Sequence, residues 1–386
     1  MDIEIGVGKA ARQAYGFDDI AIVPSRRTRD PDDVNISWEI EGHRFELPVL
    51  AAAMDAVVSP GTAILLGRLG GLGVLNLEGL QTRYDDADSA LEEIASLPQE
   101  SATERMQQLY RAPIKEDLIF KRIAEVKEAG VVASGSLRPQ SVEKYAKIVL
   151  DAELDILVIQ GTVVSAEHLS SRTEPLNLKE FIATFDLPVI VGGCASYPAA
   201  LHLMRTGAMG ILVGVGPGAA CTSRQVLGIG VPQATAIAEA SAARMRHLDE
   251  TGRYVQVIAD GGMRSGGDIA KAIACGADAV MIGSPLARAE EAPGRGFHWG
   301  MATFDPTLPR GVRVSSGRLG TMQEILLGPA SVNDGTMNLF GALRTSMAIC
   351  GYQSVKDFQK AELVIAPAIQ TEGKHLQRQQ GVGQGG

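Results

Sequence analysis

"ADGGMRSGGDIAKAIACGADAVMIGSP", residues 259–285, joins the end of one strand, a helix and a second strand in a single run. Its opening residues finish the apolar run "VQVIADGG" (255–262). "GGDIAKAIACGA" then carries helical spacing, and "DAVMIGS" (278–284) is apolar again. Both flanking runs are continuously apolar rather than alternating, the pattern of parallel strands covered on both faces. The phrase "ACGADA" between helix and strand reads as a helix C-terminus turning into the next strand.

The same unit recurs outward from this stretch. Short apolar runs occur at "LPVLAA" (47–52), "LGVLN" (72–76), "GVVASG" (130–135), "DILVIQ" (155–160), "LPVIVGG" (187–193) and "GILVGVG" (210–216). Helix-like stretches such as "SVEKYAKIVLDAE" and "YPAALHLMRTGA" separate most of them, and "DAELD" and "RTGAMG" repeat the helix-to-strand turn. Eight strands alternating with helices predict an α/β fold, a single (β/α)8 TIM barrel spanning residues 1–386. A doubly wound sheet shares the alternation, so the pattern alone leaves that alternative open. Two segments fall outside the repeat. Residues 79–118 read as a polar, helix-prone insertion after the second strand, too short for an ordinary domain. Residues 372–386, ending "QRQQGVGQGG", read as a flexible Gly-rich tail.

Composition narrows the partners. The chain has 386 residues, 45% hydrophobic, and a net charge of −9, so neither nucleic acid nor an anionic membrane finds the basic surface it needs. No run approaches the length of a membrane span, and the start "MDIEIGVGKA" has no signal-peptide character. The four cysteines, Cys194, Cys221, Cys275 and Cys350, lie far apart with no zinc or disulfide spacing. A cytoplasmic protein with reduced thiols is the expectation.

In a barrel the loops after the strand ends carry the chemistry. Asp260 ends the seventh strand, and Gly261 and Gly262 let backbone approach a ligand closely. Gly283 and Ser284 follow the eighth strand, offering N–H groups and a hydroxyl. Two adjacent strand ends of this kind suit a phosphate, and the Asp260 carboxylate suits a ribose diol, so a nucleoside monophosphate fits both. Tight turns and a helix cap are the plainer reading of the same residues. "GVGPGAACTSRQ" (214–225) places Cys221 after the sixth strand on the same rim, with Thr222, Ser223 and Arg224 beside it. A thiol needs such neighbours to ionise at neutral pH. Carbonyls of Gly214, Gly216 and Gly218 are free to turn inward, which suits a monovalent cation. Cys275 and Cys350 read as buried packing residues, and Cys194 stays ambiguous.

These residues resemble the IMP dehydrogenase / GMP reductase family over nearly the whole chain. The resemblance rests on "YGFDDIAIVPS" (15–25), "LAAAMDAV" (50–57), "VGVGPGAACTSR" (213–224), the Asp-Gly-Gly stretch, "EEAPG" (290–294) and "GALRTSMAICG" (341–351). It implies NAD-dependent oxidation of IMP to XMP. In that scheme the Cys221 thiolate attacks C2 of the base, hydride leaves to NAD, and water hydrolyses the thioimidate. Asp260 holds the ribose, Gly261, Gly262, Gly283 and Ser284 surround the phosphate, and Met54, His298, Gly300, Met301 and Ala302 complete the nucleotide site. Gln160, Gly161 and Gly214 face the cofactor. The carbonyls of Gly216, Gly218 and Cys221 correspond to a potassium site that a neighbouring subunit's tail completes, which implies a homotetramer.

Several positions depart from the family pattern. The insertion is far too short to hold the regulatory CBS modules. Ala52 and Ala53 replace a serine and a proline, Gln160 an acid, Cys194 an asparagine, His298 a tyrosine, and Ser223 a threonine. The flap that activates the hydrolytic water is shortened to "TFDPTLPRGVRVSSGR" (303–318) without its Arg-Tyr pair. Arg310 or Arg313 is left to take that role, with Arg310 as the candidate catalytic residue. "MIGS" and "GVPQATAI" (230–237) favour the dehydrogenase. The short flap leaves open a GMP reductase, which needs no hydrolytic water, and a purine-nucleotide-binding protein that has lost catalysis. An FMN-dependent barrel is a weaker alternative that a colourless protein excludes.

Overall fold

Eight parallel strands close into a barrel: β1 (Val49–Ala51), β2 (Leu72–Asn76), β3 (Ser134–Leu137), β4 (Ile156–Gln160), β5 (Val189–Cys194), β6 (Gly210–Val213), β7 (Gln256–Asp260) and β8 (Ala279–Ile282). Each pairs with its neighbour in sequence, and β8 returns to β1 through Val280–Val49 and Met281–Leu50. This is a computed structural model, and it describes residues 2–168, 176–367 and 372–381. The expected (β/α)8 barrel is therefore present.

Why the strands read as continuous apolar runs is visible in their packing. Successive residues point to opposite faces, and both faces are covered. Leu50, Leu72, Val74, Ile156, Val158, Ile190, Leu212, Ile258 and Met281 point inward and fill the barrel. Their neighbours Val49, Leu75, Leu157, Val191, Val213 and Val280 point outward against the helices. Each such side chain, removed from water, contributes about 1.5–3 kcal/mol before the entropy of ordering is set against it. The bottom of the barrel is plugged by a short hairpin, Trp38–Ile40 with His43–Phe45, whose Trp38, Ile40 and Phe45 join the inner cluster. The Trp38 indole N–H donates to the Leu47 carbonyl at 3.0 Å, so the plug carries no unpaired polar group there.

The α-helices that precede β8 are, in chain order, α1 (Pro60–Arg68), α2 (Ala87–Ser96), α3 (Gln99–Leu109), α4 (Glu116–Glu128), α5 (Val142–Asp151), α6 (Leu178–Ala183), α7 (Tyr197–Met204), α8 (Ser223–Leu227), α9 (Gln233–Thr251) and α10 (Gly266–Ala274). Ser59, Ser196 and Ser265 cap α1, α7 and α10 by accepting backbone N–H bonds. The three helix-to-strand phrases each contain a left-handed residue, at Glu153 (φ 53), Gly207 (φ 95) and Gly276 (φ 116). They therefore end their helices as read.

Two expectations need correction. The third strand is Ser134–Leu137 rather than 130–135, because small buried residues, not the apolar Val131-Val132, form the rung between β2 and β4. The insertion is not simply polar. Residues Ala90, Leu91 and Ile94 of α2 and Ala102, Met106 and Leu109 of α3 are buried in a cluster of their own with Tyr110 and Trp299. Its last residues, from Glu116, begin α4. In the tail, His375–Gln379 is a short helix, and residues 382–386 lie outside the described set.

Candidate active site

One cavity of about 880 Å³ opens above the C-terminal strand ends. Met54, Gln160, Gly161, Gly214, Gly216, Gly218, Cys221, Ser223, Asp260, Gly261, Gly262, Gly283, Ser284, His298, Gly300, Met301, Ala302 and Arg310 all line it. Residues as far apart in the chain as Met54 and Arg310 are thus brought to one place.

The loop after β6 positions Cys221. At Gly214 the backbone runs so close to β7 that a Cβ would sit 2.2 Å from the Asp260 carbonyl. Only glycine fits. The buried Gln233 amide donates to the carbonyls of Val213 (2.7 Å) and Asp260 (3.2 Å), fastening the two strand ends together. The Cys221 thiol lies 3.3 Å from the Ser223 hydroxyl, which is 1% exposed at the start of α8. Arg224 brings positive charge near the sulfur, and its Nε and Nη2 donate to the Val215 (3.2 Å) and Val231 (2.7 Å) carbonyls. It shapes the loop and does not touch the thiol.

Among the four cysteines, Cys221 alone lines the cavity. Burial pushes the Cys194 and Cys275 thiols up to about 12, and raises Cys350 as well, so these stay protonated and inert. The ambiguity of Cys194 is resolved: it is 1% exposed, with its sulfur against the Leu212 carbonyl.

At the other wall, Asp260 is partly open to the cavity. Desolvation pushes its carboxyl up to about 6, opposed only by a hydrogen bond from the Gln160 amide at 3.1 Å. Gln160 therefore holds the Asp260 carboxylate directly, and among the described residues its own buried carbonyl oxygen has no partner. An acid at this position would place a second carboxylate against Asp260, and the amide here removes that repulsion. Gly283 passes Met54 at a distance where a Cβ would meet the Met54 sulfur at 2.8 Å. Ser284 shares its hydroxyl with His298 Nε2 (2.8 Å), whose Nδ1 meets the Ser316 hydroxyl (2.7 Å). Burial lowers His298 to about 4, so a neutral ring orients Ser284.

The flap residues divide. The Arg310 carbonyl accepts from Thr222 N–H (3.3 Å), and Val312 N–H donates to the Ala220 carbonyl (3.1 Å), so the flap pairs with the cysteine loop. The Arg310 side chain faces the cavity; its Nε is buried without a partner among the described residues, and its Nη2 lies 3.9 Å from Asp305 Oδ2. Arg313 does not reach the cavity. It is 4% exposed and donates to the carbonyls of Ile94 and Leu97 at the end of α2, which removes it as a candidate.

Sequence reasoning missed the contribution of the insertion. Tyr110 donates to Asp55 at 2.5 Å and accepts from the Trp299 indole at 2.8 Å. It stacks on Phe304 of the flap with ring centroids 3.7 Å apart. Asp55, 1% exposed, also accepts from Leu80 N–H and the Asn76 amide, yet burial holds it up at about 6. The signal in the sequence is faint: Tyr110 is one of two tyrosines in a largely polar segment.

Residues 14–304 match the family described as the IMP dehydrogenase / GMP reductase domain. The chain belongs to the IMP dehydrogenase / GMP reductase family. An uncharacterized oxidoreductase of Mycolicibacterium smegmatis is 49% identical over 94% of this chain and 99% of its own. The inosine-5'-monophosphate dehydrogenase of Methanocaldococcus jannaschii is 29% identical over 94% of this chain and 95% of its own. A crystal structure of an IMP dehydrogenase/GMP reductase-like protein from Corynebacterium glutamicum superposes with a TM-score of 0.90 at 47% identity, covering 94% of this chain and 97% of that one. Within this family the cysteine loop, Asp260 and the Gly283-Ser284 turn stand on one rim here. No helix among the described residues is long and apolar enough to cross a membrane.

Proposed function

We propose that the protein is an oxidoreductase that converts IMP to XMP with NAD as hydride acceptor. The observation that carries this reading is the placing of Cys221, the one thiol open to the cavity, on the same rim as Asp260 and the Gly283-Ser284 turn. Asp260, fixed by Gln160, takes the ribose hydroxyls, and the backbone of Gly261, Gly262, Gly283 and Ser284 takes the phosphate. Met54, Gly300, Met301 and Ala302 surround the base. Cys221 forms a C–S bond at C2 as the C2 hydride departs. Water then adds to that carbon, the C–S bond breaks and XMP leaves. Ser223 donates to the thiolate and moves its proton, and Arg310 orients the water from the flap. NAD supplies the hydride acceptor when bound. Gln160, whose buried oxygen lacks a partner, together with Gly161 and Gly214 would hold its nicotinamide end. Potassium would rest on the carbonyls of Gly216, Gly218 and Cys221. The Gly218 carbonyl already accepts Cys221 N–H at 3.1 Å and has one lone pair left for an ion. Completion of that site by a neighbouring tail would make the working form a tetramer.

The test is NADH formation from IMP, NAD and potassium, run beside NADPH consumption with GMP. NADH formation that falls at least about 1,000-fold in Cys221→Ser supports the scheme. Oxidation of NADPH by GMP instead makes the enzyme a reductase. Binding of IMP without either reaction makes it a nucleotide-binding protein.

A further inference from the structure

The cavity extends beyond what the nucleotide uses. Its wall over β2 and β3 is lined by Arg83, Arg111 and Arg138, with Gln107 and Gln140 beside them. Leu137 pairs with Ile159, so Arg138 stands level with Gln160 on the next strand, on the cofactor side of the mouth. The phosphate turn at β7 and β8 lies three strands away around the ring.

The three guanidinium groups are under-neutralised. Arg83 donates to the carbonyls of Glu78 (3.1 and 3.0 Å) and Ala112 and makes no ion pair among the described residues. Arg138 grips Glu78 through Nε (3.0 Å) and Nη2 (2.7 Å), keeping Nη1 free on a side chain that is 51% exposed. Arg111 is exposed and makes no ion pair among the described residues. The other acids nearby are already engaged. Asp55 is buried under Tyr110, and Asp305, which faces Arg138 and Arg310, accepts the N–H groups of Thr307 and Leu308. Planar forks of this kind match phosphate oxygens.

We propose that Arg83, Arg111 and Arg138 form an anion subsite for the diphosphate of the dinucleotide, at the far end of the cavity from the substrate phosphate. This rests on the dehydrogenase reading above. It assigns to the insertion, which supplies Arg83 and Arg111, a part in holding the cofactor.

Inorganic pyrophosphate is the probe, titrated by calorimetry into the full chain saturated with IMP. The expected result is binding that NAD displaces, and that Arg111→Ala weakens roughly tenfold. Arg111 is exposed and makes no side-chain hydrogen bond or ion pair among the described residues, so this variant should leave the fold alone. Arg138→Lys keeps the pair with Glu78 while removing the fork, and should weaken binding in the same direction. In steady state both variants should raise KM for NAD roughly tenfold and leave KM for IMP and kcat within about twofold. Unchanged pyrophosphate affinity in both variants overturns the subsite. Pyrophosphate binding that NAD does not displace overturns its assignment to the cofactor and gives the site to another phosphate ligand. A wild-type chain that binds pyrophosphate but makes no NADH breaks the dehydrogenase reading and not the anion site.

Discussion

Asp260 and Asp278 stand at opposite ends of neighbouring strands and live in opposite worlds. Asp278, 1% exposed just below β8, accepts from Arg244 (2.7 Å), Lys356 (2.5 Å), Tyr254 (2.7 Å), the Gln359 amide (2.8 Å) and Val257 N–H (2.8 Å). Burial works against its charge, but Arg244 and Lys356 hold its carboxyl below the usual range. Asp260, at the top of β7, has one amide for company and is pushed up to about 6. The lower acid spends every lone pair on the fold. The upper one keeps its oxygens for something that is not part of the chain. The contrast shows where the barrel stores stability and where it gives stability up for binding.

The contrast can be broken most forcefully from below. Asp278→Ala strands Arg244, itself 3% exposed, as an uncompensated buried charge. Urea denaturation should show a loss of about 3–5 kcal/mol. A loss under about 1 kcal/mol would mean that the cluster is ornamental. Asp260→Asn should do the reverse. It removes a poorly solvated carboxylate, so the denaturation midpoint should hold or rise, while IMP affinity measured by calorimetry falls about tenfold to 100-fold. Equal damage to both properties would erase the distinction between the two ends.

The smallest effect lies in the pH dependence. Asp55 and Asp260 have folded values near 6 against an ordinary 3.8, so between those values the folded chain binds more protons than the unfolded one. Their contribution to stability therefore declines as pH rises from about 4 to 6, by at most about 1.4 kcal/mol per unit for each group. Asp278 acts in the opposite sense: its contribution is present above 3.8 and is lost as pH falls through its depressed folded value. Denaturation curves across this range should place greatest stability in mildly acid solution, and Asp260→Asn should flatten the decline above it.

Much of this arrangement is legible in sequence. Continuous apolar runs mark seven strands closely, because parallel strands must be apolar on both faces. The third strand escapes since "SGSL" is built from small residues. The cysteine loop and the Asp-Gly-Gly turn are local and carry their chemistry in a few adjacent letters. What sequence withholds is long-range pairing. Nothing near Gln160 announces that its amide faces Asp260, and Tyr110 meets Asp55 and Trp299 only after the insertion folds over the mouth. Arg310 and Arg313 look interchangeable in the string, yet one faces the cavity and the other is buried under α2.

The flap is laced to the insertion through Arg313, through Gln99, whose amide donates to the Arg313 carbonyl at 3.1 Å, and through the stacked Phe304 and Tyr110. Its far face is bridged to the cysteine loop. A segment tied on both sides does not fray alone. Lifting it uncovers Tyr110 and Trp299 as well, so the paired Val312 N–H should exchange with solvent together with the amides of α2 and α3, as one cooperative unit.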